Sequence, residues 1–340
     1  MRDTKFQKKA YAFKINGKRK RLKCQSGGAF TAFAEVLINK GWVVYGVIYE
    51  KPYAVYARID NKNDLKKLAG SKYVQAKMNC MRNIVKDISE GKNVLFSGNP
   101  CYCAAVQSYC DARKVNREKL LTIEFLCHGV PSPELFRMYL EYAENTTGFE
   151  STDFNFRDKN IDGWGGYYST LKNDSSMRKV SENWLDIYNA ERYLRPSCYN
   201  CKFTTYERGA DVTISDFWGI SKIQKGFGDN KGISMILFNN ERGIGFIPEI
   251  GQMGEMIESI FSAIDQQPLN RPVKYQDDEV KIDWENRSFE ENALNIIKHY
   301  DKKYISFWNG VPLTLNIKFL KHYFTFKIKS SSLLAALRKV

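Results

Sequence analysis

The stretch 120–142, LLTIEFLCHGVPSPELFRMYLEY, decides the fold. It opens on a short apolar run that reads as a buried strand, passes through the turn His128-Gly129-Val130-Pro131-Ser132, and continues as a helix. The strand delivers Cys127 to its end. The same layout recurs upstream, where NVLFSG (93–98) is a short central strand, Gly98-Asn99-Pro100-Cys101 puts a second thiol at the strand end, and AAVQSYC (104–110) is helical. Strand, turn and helix in repetition predict an α/β layer. Two strand ends, each offering one cysteine, predict a site at the lip of the sheet.

Working outward toward the N-terminus, residues 1–25 are basic and carry no strong pattern. Gln25-Ser26-Gly27-Gly28-Ala29-Phe30-Thr31 then leads into AFAEVLINK, a helix with apolar residues at Phe33, Val36 and Leu37. A Ser-Gly-Gly turn opening a helix leaves backbone N–H groups free and suits a phosphate or pyrophosphate. An ordinary helix start capped by Ser26 explains the same residues equally well. Gly41 ends the helix, WVVYGVIYE (42–50) reads as a buried strand, and AVYARI (54–59) as its antiparallel neighbour. The glycine turn precedes the first strand and GxGxxG is absent, which disfavours a Rossmann fold and leaves a mixed-sheet α/β core. Gly70-Ser71-Lys72-Tyr73 falls in a turn after a short helix near Leu65; it suits either a solvated loop or an anionic group attached to a planar one. Asn79 to Ser89 reads as a helix.

Downstream of Ser151 the texture changes. NFRDKNIDGWGGYYSTLKN (155–173) reads as strand, glycine-rich turn and strand, with Arg157, Asp158 and Lys159 as a charged turn and Trp164-Gly165 placed to wall a planar ligand. A helix over Trp184 to Tyr193 leads into RPSCYNCKFTTYERGADVTISDFWGI (195–220), which holds Cys198 and Cys201 in a CxxC before a strand closed by Asp216, Trp218 and Gly219. Gly232 to Phe238 is a further buried strand, and Gly251 to Ala263 reads as an amphipathic helix. FWNGVPLTLNIKFLKHYFTFKIK (307–329) alternates as a strand or an interfacial segment would. The expected division is an N-terminal α/β part over 1–150, the rest of the core over 151–265, and a basic aromatic extension over 266–340.

The 340 residues carry 52 Lys and Arg against 38 Asp and Glu, a net charge of +14 that predicts attraction to an anionic partner. After Asp301 there is no acidic residue, while Lys302, Lys303, Lys318, Lys321, Lys327, Lys329, Arg338 and Lys339 are basic. The tail therefore suits peripheral contact with a membrane surface. Nucleic-acid binding is disfavoured because the charge comes without a reading motif. No apolar run is long enough to cross a bilayer and the start is charged, so a cytoplasmic location is expected. Eight cysteines in such a chain are better explained as ligands, reactive thiols or core residues than as disulfides. Cys24, Cys80, Cys103 and Cys110 lack a ligand context, and Cys110 suits core packing. Cys101, Cys127, Cys198 and Cys201 make a four-thiolate set that suits zinc or a 4Fe-4S cluster by count. A set gathered across about a hundred residues, without paired knuckles, favours the cluster. A zinc-stabilised, non-catalytic binding protein is the alternative.

SGGAFT, GSKY, NPC, CHGVPSP, FRDK with GW, the CxxC, DVTISDFWGI and GIS, in that order, resemble the coenzyme F420 hydrogenase/dehydrogenase beta-subunit family, over roughly Cys24 to Phe238. The resemblance implies an iron-sulfur flavoprotein oxidoreductase with FAD beside one 4Fe-4S cluster, the cluster held by Cys101, Cys127, Cys198 and Cys201. It implies flavin contacts from Ser26, Gly27, Gly28 and Thr31 and from Ser71, Lys72 and Tyr73, with Asp216 and Gly232 to Ser234 lining the same cavity. Electrons would pass between a reduced carrier (coenzyme F420 or ferredoxin) and a partner or small-molecule substrate, as in polysaccharide-pathway relatives. The leading ferredoxin-type domain of many relatives is missing, so electrons are expected from a separate acidic protein or a reduced cofactor. A homo-oligomer is expected, and no catalytic residue is assigned.

Overall fold

The β-branched and aromatic runs do form strands, and their order places the site. The computed structural model describes residues 9–308, apart from 176, 260–263, 265 and 278–279, and residues 311–312. Its strands are β1 (Lys9–Ile15), β2 (Val43–Glu50), β3 (Tyr53–Ile59), β4 (Val94–Gly98), β5 (Leu120–Phe125), β6 (Asp153–Asn155), β7 (Ser169–Lys172), β8 (Met177–Ser181), β9 (Val212–Asp216), β10 (Ser234–Phe238), β11 (Gly254–Ser259), β12 (Ile305–Trp308) and β13 (Val311–Pro312). Eight of them form one sheet in the order β11-β1-β10-β9-β5-β4-β2-β3. The pairs β2·β4, β4·β5 and β5·β9 are parallel and the others antiparallel, so the α/β core is built on a mixed sheet. A smaller antiparallel sheet runs β13-β12-β8-β7-β6.

The parallel strands are mostly apolar because both faces are covered, with Thr122 and Glu124 of β5 and Thr213 of β9 among the buried polar exceptions. Val94 and Phe96 of β4 point into one core with Ile84, Cys103, Val106 and Phe136, all from helices; Leu95 points into the other with Phe33 and Leu37 of the helix Ala29–Asn39. Cys110 is fully buried in the first core. The helices after β4 and β5 start where the chemistry of their first residues dictates. Pro100 and Pro133 stand at the first helical position, where the missing N–H costs nothing, and Ser132 Oγ accepts from Glu134 N at 3.1 Å. Gly148 closes the second helix in the left-handed conformation. These starts fix Cys101 and Cys127 beyond the ends of their strands.

Antiparallel pairing turns β10 around, so that Ser234 stands opposite Asp216 of β9 and Phe13 of β1 opposite Ser234. The C-terminal ends of β1, β9, β5 and β4 and the N-terminal end of β10 therefore meet along one edge.

Three sequence expectations change. Residues 9–15 are a strand inside the large sheet, although the first 25 residues carry no strong pattern. Residues 254–259, expected within an amphipathic helix, are the edge strand β11 on β1, because β1 presents an open edge and its pairing outweighs the ambiguous period of GEMIES; 260–263 lie outside the described residues. The C-terminal extension contains the helix Phe289–His299, capped by Ser288 and Glu291, and β12 pairs with β8. Residues 313–340, with most of the basic tail, lie outside the described residues. Among the described residues no helix is long and apolar enough to cross a membrane.

Candidate functional site

The Ser26-Gly27-Gly28 turn is threaded between β1 and β10. Ile15 N donates to Gly27 O at 2.8 Å, Ser26 Oγ donates to Ile233 O at 2.7 Å, and Ser234 Oγ accepts from Ala29 N at 3.3 Å. A Cβ on Gly27 would sit 2.1 Å from Phe13 O and 2.4 Å from Ser234 N, and one on Gly232 would sit 2.5 Å from Ser26 O. Both glycines are therefore required by close backbone approach, and Gly28, at φ +95°, by its left-handed turn.

The turn opens onto a cavity of about 250 Å³ at the lip of the sheet. Of the residues expected to contact a flavin, Ser26, Gly28, Thr31, Ser71, Lys72, Tyr73, Asp216 and Ser234 line it; Gly27 and Gly232 stand behind the wall, packing the turn. Cys127 and His128 line the same cavity from the end of β5, with Asn99 from the end of β4. Lys72 Nζ donates to Ala69 O at 3.1 Å, and burial draws its pKa down to about 7. Burial pushes the Tyr73 hydroxyl up.

Behind Tyr73, Asp216 and Trp218, which line the cavity, lies an ionic and aromatic layer. Arg157, Asp158 and Lys159, expected as a charged turn, are all buried, which corrects that expectation. The reason is partners distant in sequence. Arg157 Nη1 lies 3.0 Å from Asp216 Oδ2 and 3.3 Å from Tyr73 Oη, and its other nitrogens donate to the carbonyls of Gly166 and Trp164. Asp158 caps the short helix Lys159–Asp162 and accepts from Thr170. Trp164 Nε1 donates to Asp216 Oδ1 at 2.6 Å, and its ring stacks on Trp218 at 4.4 Å and 8°. Trp218, 43% exposed, and Phe125, at 37%, line the cavity, whereas Trp164 and Gly165, expected to wall a planar ligand, do not; Trp164 stands behind Trp218.

The four thiols approach one another at this lip. Cys127 Sγ accepts from Asn99 Nδ2 at 3.0 Å and from Gly129 N at 3.4 Å, and burial pushes its thiol up to about 12, with Cys101 and Cys198 close enough to add to the rise. Burial also raises Cys101, with Cys201 and Cys198 adding to it, and raises Cys198, where a backbone N–H from Val130 opposes. A Cβ on Gly129 would stand 3.2 Å from Cys198 Cβ, which fixes how closely the CxxC packs on the turn after Cys127. Among the described residues no three His, Cys, Asp or Glu side chains are gathered as a single metal ion would require.

The residues missed by sequence reasoning are polar, one of them, Asn99, in the cavity wall and the others behind it. Asn99 was visible in the Asn-Pro-Cys string, and Arg157 and Lys159 in Phe-Arg-Asp-Lys. Arg208, its side chain 1% exposed, joins the CxxC loop to Glu124 of β5, and nothing local in the sequence marks it.

The chemistry of these donors fits two groups. A planar ring fits a cavity lined by the Trp218 indole and Phe125, and an anionic tail fits the first turn of the helix Ala29–Asn39, where Gly28, Ala29, Phe30 and Thr31 line the cavity. The cavity volume lies just under the ~300–1,000 Å³ of ordinary small-molecule sites. Four thiols with N–H donors aimed at sulfur fit thiolate ligation.

Comparison with known proteins gives a consistent frame. Residues 91–260 match the family model that describes the C terminus of the coenzyme F420 hydrogenase/dehydrogenase beta subunit. A chain of the xenon-derivatised F420-reducing [NiFe] hydrogenase complex from Methanosarcina barkeri is similar in fold, with a TM-score of 0.51 at 14% identity over 88% of this chain and 92% of that one. No curated protein matches the sequence.

Proposed function

This chain belongs to the coenzyme F420 hydrogenase/dehydrogenase beta-subunit family, and from that membership in a redox family we propose that it is an oxidoreductase using FAD and one 4Fe-4S cluster. It would pass electrons between a reduced carrier, a deazaflavin or an acidic electron-transfer protein such as ferredoxin, and a partner or small-molecule substrate. The observation that carries the reading is that Cys127 belongs to both halves of the site. It lines the cavity below the Ser-Gly-Gly turn, and it neighbours Cys101 and Cys198. A flavin accepts two electrons as hydride and releases them singly, so a flavin beside a cluster joins two-electron to one-electron chemistry.

The chain's own residues divide the remaining tasks. Cys101, Cys127, Cys198 and Cys201 would hold the cluster, while Asn99 and the Gly129 N–H, already directed at Cys127 sulfur, would stabilise thiolate charge and tune the potential. Ser26, Gly28 and Thr31 would hold the anionic part of the cofactor at the helix start, with Ser71 and Lys72 on the facing wall. Arg157 and Asp216 lock Tyr73 and Trp164 in place, and Trp164 backs the Trp218 ring that lines the cavity, so this wall is held before anything binds. A single tetrahedral zinc, at ~2.3 Å to each sulfur, needs its thiolates within about 3.8 Å of one another. A 4Fe-4S cluster is likewise held by four thiolates, and the redox family favours it over zinc.

Two substitutions separate the halves. Cys198→Ala should remove the iron and leave flavin bound, whereas Thr31→Trp, filling the cavity from its wall, should remove flavin and leave the iron. Iron and flavin contents unchanged in both variants would refute the assignment.

A further inference from the structure

Lys159 is 2% exposed, and its amine donates to three backbone carbonyls, Arg21 O at 2.9 Å, Ser26 O at 3.0 Å and Lys231 O at 2.6 Å. An ammonium has three N–H donors, and here each has one acceptor. The three carbonyls belong to separate segments: the short helix Lys18–Lys23, the Ser26-Gly27-Gly28 turn, and the loop before β10. Desolvating an ammonium is costly, and an apolar side chain would pack there without that cost. The charge is held under the turn whose Ser26 and Gly28 line the cavity.

We propose that Lys159 is the positioning residue of the cofactor cradle, its ammonium shaping the Ser26–Gly28 turn and supplying positive charge beneath it so that binding of a phosphate-bearing cofactor depends on it. The inference rests on the reading of the cavity as a flavin site. Besides its three carbonyls, Lys159 faces Cys24, Asp216, Arg157 and Arg21, the last paired with Asp229, which also accepts from Lys231. Burial is the main cause drawing the Lys159 pKa down to about 8, against the opposing pull of Cys24 and Asp216. Carboxylates and guanidinium groups titrate far from that value, and burial pushes the Cys24 thiol up. Above it the neutral amine offers two donors to three carbonyls, and one lone pair then faces a carbonyl oxygen. An anionic ligand that favours the protonated amine should therefore bind less tightly as pH rises, by about tenfold per pH unit once the proton must be taken up on binding.

The test is rebinding of FAD, and of riboflavin, which lacks phosphate, to flavin-stripped full-length protein, followed by quenching of flavin fluorescence from about pH 6.5 to pH 9.5. Wild type should lose FAD affinity from about pH 8 upward and riboflavin affinity much less. Lys159→Arg, whose charge does not titrate here, should lose the part of the decline that begins near pH 8. Lys159→Met should weaken FAD at least about tenfold at neutral pH. Lys72, which also titrates in this range, is intact in both variants, so only the difference between profiles belongs to Lys159. A wild-type profile that is flat, or one reproduced in Lys159→Arg, overturns the proposal. Should neither variant fold, Lys72→Gln decides: a loss of FAD affinity with rising pH that persists there supports Lys159, and a profile that becomes flat assigns the effect to Lys72 and overturns the role of Lys159. Wild type that binds neither flavin at any pH instead overturns the cavity reading, and with it the cradle.

Discussion

Arg208 gives the sharpest energetic prediction, because it joins the two parts of the chain that deliver cysteines. Its side chain is 1% exposed and Glu124, its ion-pair partner on β5, 2%. Arg208 Nη1 also donates to Phe203 O at 2.8 Å and Thr205 O at 3.2 Å, so the guanidinium ties the loop after Cys201 to the strand that ends at Cys127. Arg208→Met removes the charge and leaves a buried carboxylate with Thr213 Oγ1, at 2.9 Å, among its remaining donors. Breaking one side of a buried pair costs about 3–5 kcal/mol, most of it the penalty of the stranded charge. The carbonyls of exposed Phe203 and partly exposed Thr205 can turn to water and add little. Urea unfolding should therefore show a midpoint lowered by the equivalent of about 3–5 kcal/mol, at unchanged slope. Adding Glu124→Gln should recover about half, since no charge is then left buried. A loss below about 1 kcal/mol, or a double variant equal to the sum of the singles, would refute this account of the strut.

Two further outcomes follow from the structure. A Cβ on Gly27 would meet the Phe13 carbonyl oxygen and the Ser234 nitrogen, backbone atoms in paired strands that cannot give way, so Gly27→Ala should cost about 3 kcal/mol or more, at the upper end of overpacking; Gly91→Ala, with open space but φ +86°, should cost only ~1–2 kcal/mol by thermal or urea unfolding. Burial disfavours the Asp87 charge, but hydrogen bonds from Arg58, Lys92 and Tyr45 outweigh it and hold the carboxyl at about 2, below its ordinary 3.8. The folded chain thus binds this proton less readily than the unfolded one, so the stabilisation is complete above about pH 5 and lost as pH falls toward 2, roughly 2 kcal/mol in all. The stability gap between wild type and Asp87→Asn should narrow by that amount over the same interval, and a pH-independent gap would contradict it.

Much of the frame was legible because its signals are local. Apolar runs such as LLTIEF and NVLFSG can satisfy a two-sided sheet position and little else, and the turns after them carry their own glycine, proline and serine chemistry. The four cysteines and the Ser-Gly-Gly turn were legible for the same reason, as special residues at strand and helix ends. What escaped depends on partners far along the chain. KAYAFKI becomes an inner strand only because β10 and β11 flank it, and GEMIES is a strand only because β1 offers an edge. Its glutamates at 255 and 258 fit a helical period as well as an exposed edge. Arg157 and Lys159 look like a solvated turn until the carbonyls and carboxylate that bury them, at Ser26, Lys231 and Asp216, arrive from over fifty residues away.

The measurement that tests the central claim most directly is the absorption spectrum of protein purified without oxygen, with iron, sulfide and flavin quantified. The account predicts a broad visible-blue shoulder bleached by dithionite, with about four irons and one flavin per chain, as one cubane cluster on four thiolates requires. Colourless protein that binds zinc and takes up neither iron nor flavin after anaerobic reconstitution would contradict it.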